Sequence, residues 1–300
     1  MELWIVFAIA AALFQTIRFM LQKVLSTGTL STAGATIARF AYAMPAALVL
    51  TCGYLFYTGQ SVPALGGVFW PYALAGAIGQ IMATLCVVAL FRQRNFAVGI
   101  TFKKTEVIQT ALAGWIVLSE PLSGYGWLAI LIGLVGVLIL SDTPNTNGSF
   151  RERFLTRAVA LGLLSGAFFA MAAIGYRGAT LQVASDDPII RAGVSLVLVT
   201  LSQTVMMGLW MRFKQPGELT RVWQARRTAV WVGITSMAGS FGWFVAFTLQ
   251  TAAYVQAVGQ IELIFSIMAS TLFFKEKITA KEITGIAVLT VSIMLLIIVI

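Results

Sequence analysis

Residues 91–109 read FRQRNFAVGITFKKTEVIQ, and residues 247–265 read FTLQTAAYVQAVGQIELIF. A shift of 156 residues lays one on the other, so that Phe91 meets Phe247, Ala97 meets Ala253 and Glu106 meets Glu262. The same shift sets Glu120 on Glu276, and a slightly different one sets Arg39 beside Arg191. Self-similarity at a long period marks a duplicated unit. Residue by residue the likeness is weak, but two glutamates in register inside apolar sequence are difficult to attribute to chance.

What surrounds those glutamates follows from composition. The chain has 300 residues, 59% hydrophobic and only 10% charged, and its mean hydropathy is +0.91. An average soluble domain carries about 25% charged residues, so this chain has too few to cover a water-facing surface. Its solvent is lipid. A helix needs about 20 mainly apolar residues to cross a bilayer, and ten stretches qualify: 2–25, 32–57, 68–91, 96–118, 123–141, 155–181, 188–213, 227–249, 252–274 and 279–299. The expectation is an all-α integral membrane protein of ten transmembrane helices. Polar clusters such as TGQSVPALGG, SEPLSG and SDTPNTNGSFRER separate the spans, and Thr279 with Glu282 has the spacing of a capping box at the start of the last one. The first span lacks the basic flank and cleavage site of a signal peptide and reads as a retained helix.

The duplication divides these spans into two sets of five: residues 1–142, a linker at 143–154, and residues 155–300. Five is odd, so the second set enters the membrane from the opposite side. Two inverted five-helix repeats are a recurring plan of secondary transporters, with the solute site near the midplane between them. Loop charges set the orientation. Connections after odd-numbered spans hold 14 of the 20 basic residues, including Lys23, Arg92, Arg94, Arg151, Arg153, Arg212, Lys214 and Lys277; the opposite connections hold Arg177 and Arg191. By the positive-inside rule, both termini are external. The net charge of +9 is therefore mainly a topology signal, scattered over short loops, and no nucleic-acid partner is expected.

The ionisable residues within spans carry the functional signal, because each costs about 2.5–3.5 kcal/mol at a helix centre. In the fourth span Lys103 and Glu106 are three residues apart, with Lys104 between them. They form either a self-neutralising pair or a charged wall of a cavity. In the ninth span Gln260 takes the place of Lys104, and Glu262 has no basic neighbour within a turn. Glu262 must find a partner on another helix, bind a cation or carry a proton, with Ser266 one turn on to orient it. The first span shows a polar stripe of Gln15, Arg18 and Gln22, with Arg18 either lining a cavity or paired with Glu106 or Glu262. Arg39 is placed to line the interior or to snorkel toward the cytoplasm, and Arg191 to anchor at the external interface.

Gln80 and Thr84 share a face of the third span, and Ser236, Ser240, Trp243 and Phe247 share one of the eighth. Trp243 lies mid-span, away from the interface where tryptophan collects. Tyr254 and Gln256 are weaker candidates. Cys52 and Cys86 fall in apolar sequence and read as buried thiols. Histidine is absent, which removes the usual proton shuttle and the commonest metal ligand. No metal site and no cofactor are expected.

Two further stretches carry a resemblance. VLSEPLSGYGWLAILIGLVGVLIL (117–140) and FFKEKITAKEITGIAVLTVSIMLL (273–296) each run from a helix end through a glutamate at a tight turn into a closing helix. With the duplication, they resemble the EamA-type branch of the drug/metabolite transporter superfamily over nearly the whole chain. The resemblance implies helices 1–4 and 6–9 around a central cavity, with helices 5 and 10 peripheral, and residence in a plasma membrane, such as a bacterial inner membrane. It also implies export of amino acids or other metabolites, or movement of nucleotide-linked sugars. The expected partners are a small-molecule solute and the lipid bilayer. Gly162 and Gly166 have GxxxG spacing, which fits packing within one chain better than dimerisation, so a monomer is expected and a dimer is the alternative.

No phosphate-binding loop is present for direct ATP drive. A membrane enzyme acting on lipid would need a catalytic cluster or a GxSxG elbow that the chain lacks. A lipid translocator of the same fold stays open as the alternative. Solute charge also stays open: Arg18, Arg39 and Lys104 suit an anion, Glu106 and Glu262 suit a cation, both together suit a zwitterion, and internal pairing would cancel them.

Overall fold

The computed structural model describes residues 2–91, 103–141, 157–275 and 279–299. The expected linker at 143–154, the turn glutamate Glu276, and Arg92, Arg94, Arg151, Arg153 and Lys277 lie outside the described residues. The described elements are helices: α1 (Leu3–Gly28), α2 (Thr32–Thr58), α3 (Phe69–Phe91), α4 (Glu106–Leu118), α5 (Gly124–Ser141), α6 (Arg157–Leu181), α7 (Pro188–Lys214), α8 (Glu218–Gln224), α9 (Arg226–Leu249), α10 (Ala252–Val258), α11 (Glu262–Leu272) and α12 (Ala280–Val299). A 3₁₀ turn at Gly259–Ile261 joins α10 to α11.

Local chemistry sets several helix ends. Ser31 caps α2 by accepting from Gly34 N at 3.0 Å, and Gly59, at φ 66°, closes its other end. Asp187 caps α7 by accepting from Ile189 N at 2.7 Å, with Pro188 in the first helical position, where its missing N–H costs nothing. Among the described residues, seven helical segments are long and apolar enough to span a bilayer; the last of them runs from Ala252 to Leu272 through the 3₁₀ turn. Glu106–Leu118, Gly124–Gly136 and Ile283–Ser292 are shorter apolar helical stretches at the fourth, fifth and tenth expected spans.

The distribution of polarity is that of a protein dissolved in lipid. Val49, Phe56 and Ile116 are 73%, 90% and 76% exposed, whereas Arg18, Lys103 and Glu262 are at most 1% exposed. Cys86 is buried as expected, but Cys52 is exposed on the outer face of α2, because an apolar run in a membrane helix has an outward side as well as an inward one.

The main packing pairs are α1 with α9, α3 with α6, α2 with α7 and with α9, and α5 with α12. Lipid tails are as apolar as leucine, so such contacts depend on shape and favour small residues. Gly76 and Gly175 supply this where α3 crosses α6. A methyl group at Gly175 would lie 2.6 Å from Gly76 Cα, so the backbones touch. Ala8, Ala11 and Ala12 of α1 are fully buried and α1 lies against α9. The result is a ring of helices whose inward faces hold the polar residues.

Candidate functional site

Both membrane glutamates stand where a helix begins. Glu106 opens α4, and Glu262 opens α11 directly after the 3₁₀ turn. The free N–H groups and dipole of a helix start favour a carboxylate. Two close approaches put these starts in the interior. A methyl group at Gly166 of α6 would lie 3.1 Å from Glu106 N and 3.2 Å from Lys103 O, so only glycine admits the charged segment so closely. At Gly259 a methyl group would lie 2.5 Å from the Trp243 ring, so the turn before Glu262 passes against that indole.

The two segments meet through their charges. Glu262 Oε2 accepts from Lys103 Nζ at 2.7 Å and from Lys104 Nζ at 2.6 Å. Glu106 Oε1 lies farther from the same ammonium groups, at 3.9 and 3.7 Å. Lys103 also sits over the rings of Phe19 and Phe169, at 5.1 and 4.7 Å, where the ring quadrupole favours a cation. Of the partners open to Glu262, the structure therefore supplies basic groups from the other half of the chain. The expected Lys103–Glu106 pair is present but is the longer contact.

Two alternatives left open by the sequence are decided here, and one expectation is corrected. Arg18 pairs with neither glutamate. Its Nη1 donates to Gln22 Oε1 at 2.6 Å, its guanidinium lies 3.9 Å over the Phe19 ring, and its Nη2 is buried without a hydrogen-bond partner. Both lysines bond to Glu262 Oε2, and Glu262 acts on Arg18 only at a distance. Ser266 does not orient Glu262, because its buried Oγ makes no hydrogen bond. Arg39 does not snorkel: it is 4% exposed and turned inward. Its Nε donates to Ser236 Oγ at 3.0 Å, Nη1 to Thr84 Oγ1 at 2.8 Å and Nη2 to Ser240 Oγ at 3.4 Å. Three hydroxyls hold it more closely than water at a distant interface would.

Arg39 borders a cavity shared with Gln15, Gln80, Glu106, Ser240 and Trp243. All six were singled out from sequence. The cavity is narrow, about 20 Å³, and is not sealed from its surroundings. Trp243 Nε1 donates to Gln15 Oε1 at 3.2 Å across α9 and α1. Gln260, by contrast, stays in its own element, donating to Gln256 O at 3.0 Å, while Gln256 reaches the cavity wall.

Sequence reasoning missed Tyr176. It borders the cavity, accepts from Gln203 Nε2 at 2.9 Å, donates to Gln80 Oε1 at 3.4 Å and packs its ring 4.4 Å from that of Phe244. A signal existed, since Tyr176 and Gln203 are polar tips deep within the sixth and seventh spans. Arg191 donates to Thr180 O at 2.9 Å near the start of α7, away from this site.

A bundle of apolar helices around a charged and polar interior is the architecture of a multi-pass membrane protein with an internal site. The EamA-like transporter family model matches residues 2–142 and again 156–298, and the chain belongs to that family, whose members are transporters of the drug/metabolite type. One solved crystal structure of a protein superposes with a TM-score of 0.67 over 97% of this chain and 99% of its own, at 12% identity. That likeness shows a shared fold. Comparison with curated proteins finds no match.

Proposed function

We propose that the chain is a secondary transporter that exports a small polar or amphipathic organic solute by alternating access through the central cavity. Ten spans in two inverted halves, residues 1–142 and 155–300 joined at 143–154, provide the frame. Support comes from the packing. Counted as spans, α1 and α9 are first and eighth, and α3 and α6 are third and sixth. A step of five spans turns one pair into the other, and the same step returns α2–α7 and α5–α12 to themselves. A two-fold relation between halves has that consequence.

The observation that carries the proposal is the cavity itself: polar residues from helices of both halves face one narrow space of about 20 Å³. It is too small for an organic solute, so the helices must part for one to enter. On the side assigned as external, Arg177 Nε donates to Glu120 Oε1 at 2.9 Å and Nη1 to Phe247 O at 2.7 Å. On the side assigned as cytoplasmic, Ser31 N donates to Glu218 Oε1 at 2.6 Å. The wall mixes polar groups with the rings of Phe169, Trp243, Phe244 and Phe247, which suits an amphipathic solute.

Purified protein in proteoliposomes, tested with a panel of radiolabelled amino acids and other metabolites with and without a pH gradient, is the decisive experiment. Exchange of a labelled solute against its unlabelled form is expected. A gradient response would establish proton coupling as well. Leakage no faster than in empty liposomes for every solute would overturn the proposal.

A further inference from the structure

The buried charges at the centre of the molecule do not cancel. Lys103, Lys104, Glu106 and Glu262 form one cluster with two charges of each sign. Arg18 and Arg39 remain, 1% and 4% exposed. Among the described residues neither makes an ion pair. The donors of Arg39 go to three hydroxyls, and Arg18 reaches one amide oxygen and leaves Nη2 unmatched. Arg18 feels repulsion from Arg39 as well as attraction from Glu262, without a direct contact to either. Burying an unpaired charge is costly, and a second like charge nearby adds to the cost. Such a pair is stable in function when something outside the chain brings the opposite charge.

We infer that the solute is a water-soluble organic anion whose carboxylate or phosphate group binds at the Arg39 face of the cavity, with Arg18 adding to the positive field. This rests on the transporter reading only for what happens to the solute after it binds. Glu106 also borders the cavity and leaves its Oε2 unmatched, but with Glu262 it faces two lysines, so the carboxylates hold no unbalanced charge for an ammonium group. A guanidinium suits the bound group well, since its planar fork can donate two parallel hydrogen bonds to a carboxylate or phosphate. The same wall carries the rings of Trp243, Phe244 and Phe247, which favours an apolar body beside the anionic head.

Four probes with one ring and different heads test this: phenylacetate, phenyl phosphate, phenylalanine and phenethylamine, each at millimolar concentration with purified full-length protein in detergent. The two anions are expected to raise the melting temperature and the other two to leave it unchanged. Arg39→Gln should abolish the shift without lowering the melting temperature of the unliganded protein, since it removes an unbalanced charge, and Arg39→Lys should keep part of the shift. If Arg39→Gln gives no folded protein, the selectivity of the wild type among the four probes still decides. A shift with neither anion, an equal shift with the amine or the zwitterion, or a shift only with added phosphatidylglycerol would overturn the inference. The same probes in proteoliposomes separate the two claims. Carriage of phenylalanine or phenethylamine alone keeps the transporter reading and ends the anion inference. Stabilisation by anions with no flux of any probe does the reverse.

Discussion

Lys104 Nζ lies 2.6 Å from Glu262 Oε2, although 158 residues separate the two in the chain. The contact joins the helix start of the fourth expected span to that of the ninth, the same position in each half. Lys103 makes a parallel bond at 2.7 Å, so one carboxylate is clamped by two ammonium groups from the other half. Each half thus supplies a glutamate at a helix start, but only the first supplies lysines. The duplication has kept the acid and made the base asymmetric.

The close approach at Gly166 is testable by a single methyl group. In Gly166→Ala the new carbon meets Glu106 N at 3.1 Å and Lys103 O at 3.2 Å, both backbone atoms, and overpacking of this kind costs about 1–3 kcal/mol. Gly53→Ala, in the middle of α2 with nothing within 4 Å of the new carbon, is the control. The melting temperature in detergent is expected to fall for the first and to hold or rise slightly for the second. Equal behaviour of the two variants would show that Gly166 has no role in seating the charged segment.

The Arg177–Glu120 tie should matter more for access than for stability. Both side chains are mostly buried, at 13% and 15% exposed, but Arg177 keeps the carbonyls of Phe247 and Thr248 as acceptors when Glu120 loses its charge. Glu120→Gln is expected to leave the melting temperature nearly unchanged while the external side opens more often. With Cys52 and Cys86 replaced by alanine, Ser240→Cys on the cavity wall reports the opening. A membrane-impermeant thiol reagent added outside should label it faster when Glu120→Gln is also present. Unchanged labelling would mean the tie is not a gate.

Much of this interior was legible because membrane helices invert the usual rule. A polar side chain in an apolar span has to face protein or water, so helical spacing alone placed Gln15, Ser240 and Trp243 on inward faces. Glu106 and Glu262 stood out by their register in the repeat. Spacing along one helix, however, says nothing about which other helix lies opposite. Glu262 reads as unpartnered because its lysines are 158 and 159 residues away, and Arg18 reads as a candidate counter-ion because spacing along the fourth span offers Lys103 to Glu106 instead. Arg39 fell between two readings because a long side chain reaches either an interface or an interior, and the hydroxyls of Thr84, Ser236 and Ser240 that decide the matter come from two other helices.

Orientation is a separate prediction from the loop bias of 14 basic residues against two. Both termini are expected outside. A reporter that is active only in the cytoplasm should be silent when fused after Ile300 of the full chain, and a periplasm-active reporter at the same place should give signal. A strong cytoplasmic signal from the full-length fusion would reverse the assignment and exchange the two gates.

Glu262→Gln distinguishes a structural clamp from a proton carrier. The substitution keeps the shape but removes the charge that holds two ammonium groups. Lys103 and Lys104 would then have only Glu106, at 3.9 and 3.7 Å. Removing one member of a buried ionic set costs about 3–5 kcal/mol, so the melting temperature should fall and every transport mode should weaken together. Adding Lys103→Gln restores a balance of one cation, Lys104, to one acid, Glu106, and stability is expected to return. Arg18→Gln should rescue less, because Glu262 acts on Arg18 without a direct contact, whereas it bonds both lysines. The opposite pattern is equally readable. If Glu262→Gln keeps its stability and still exchanges solute but loses uptake driven by a pH gradient, then the carboxylate carries the coupled proton, and its bonds to the two lysines must open and close during the cycle.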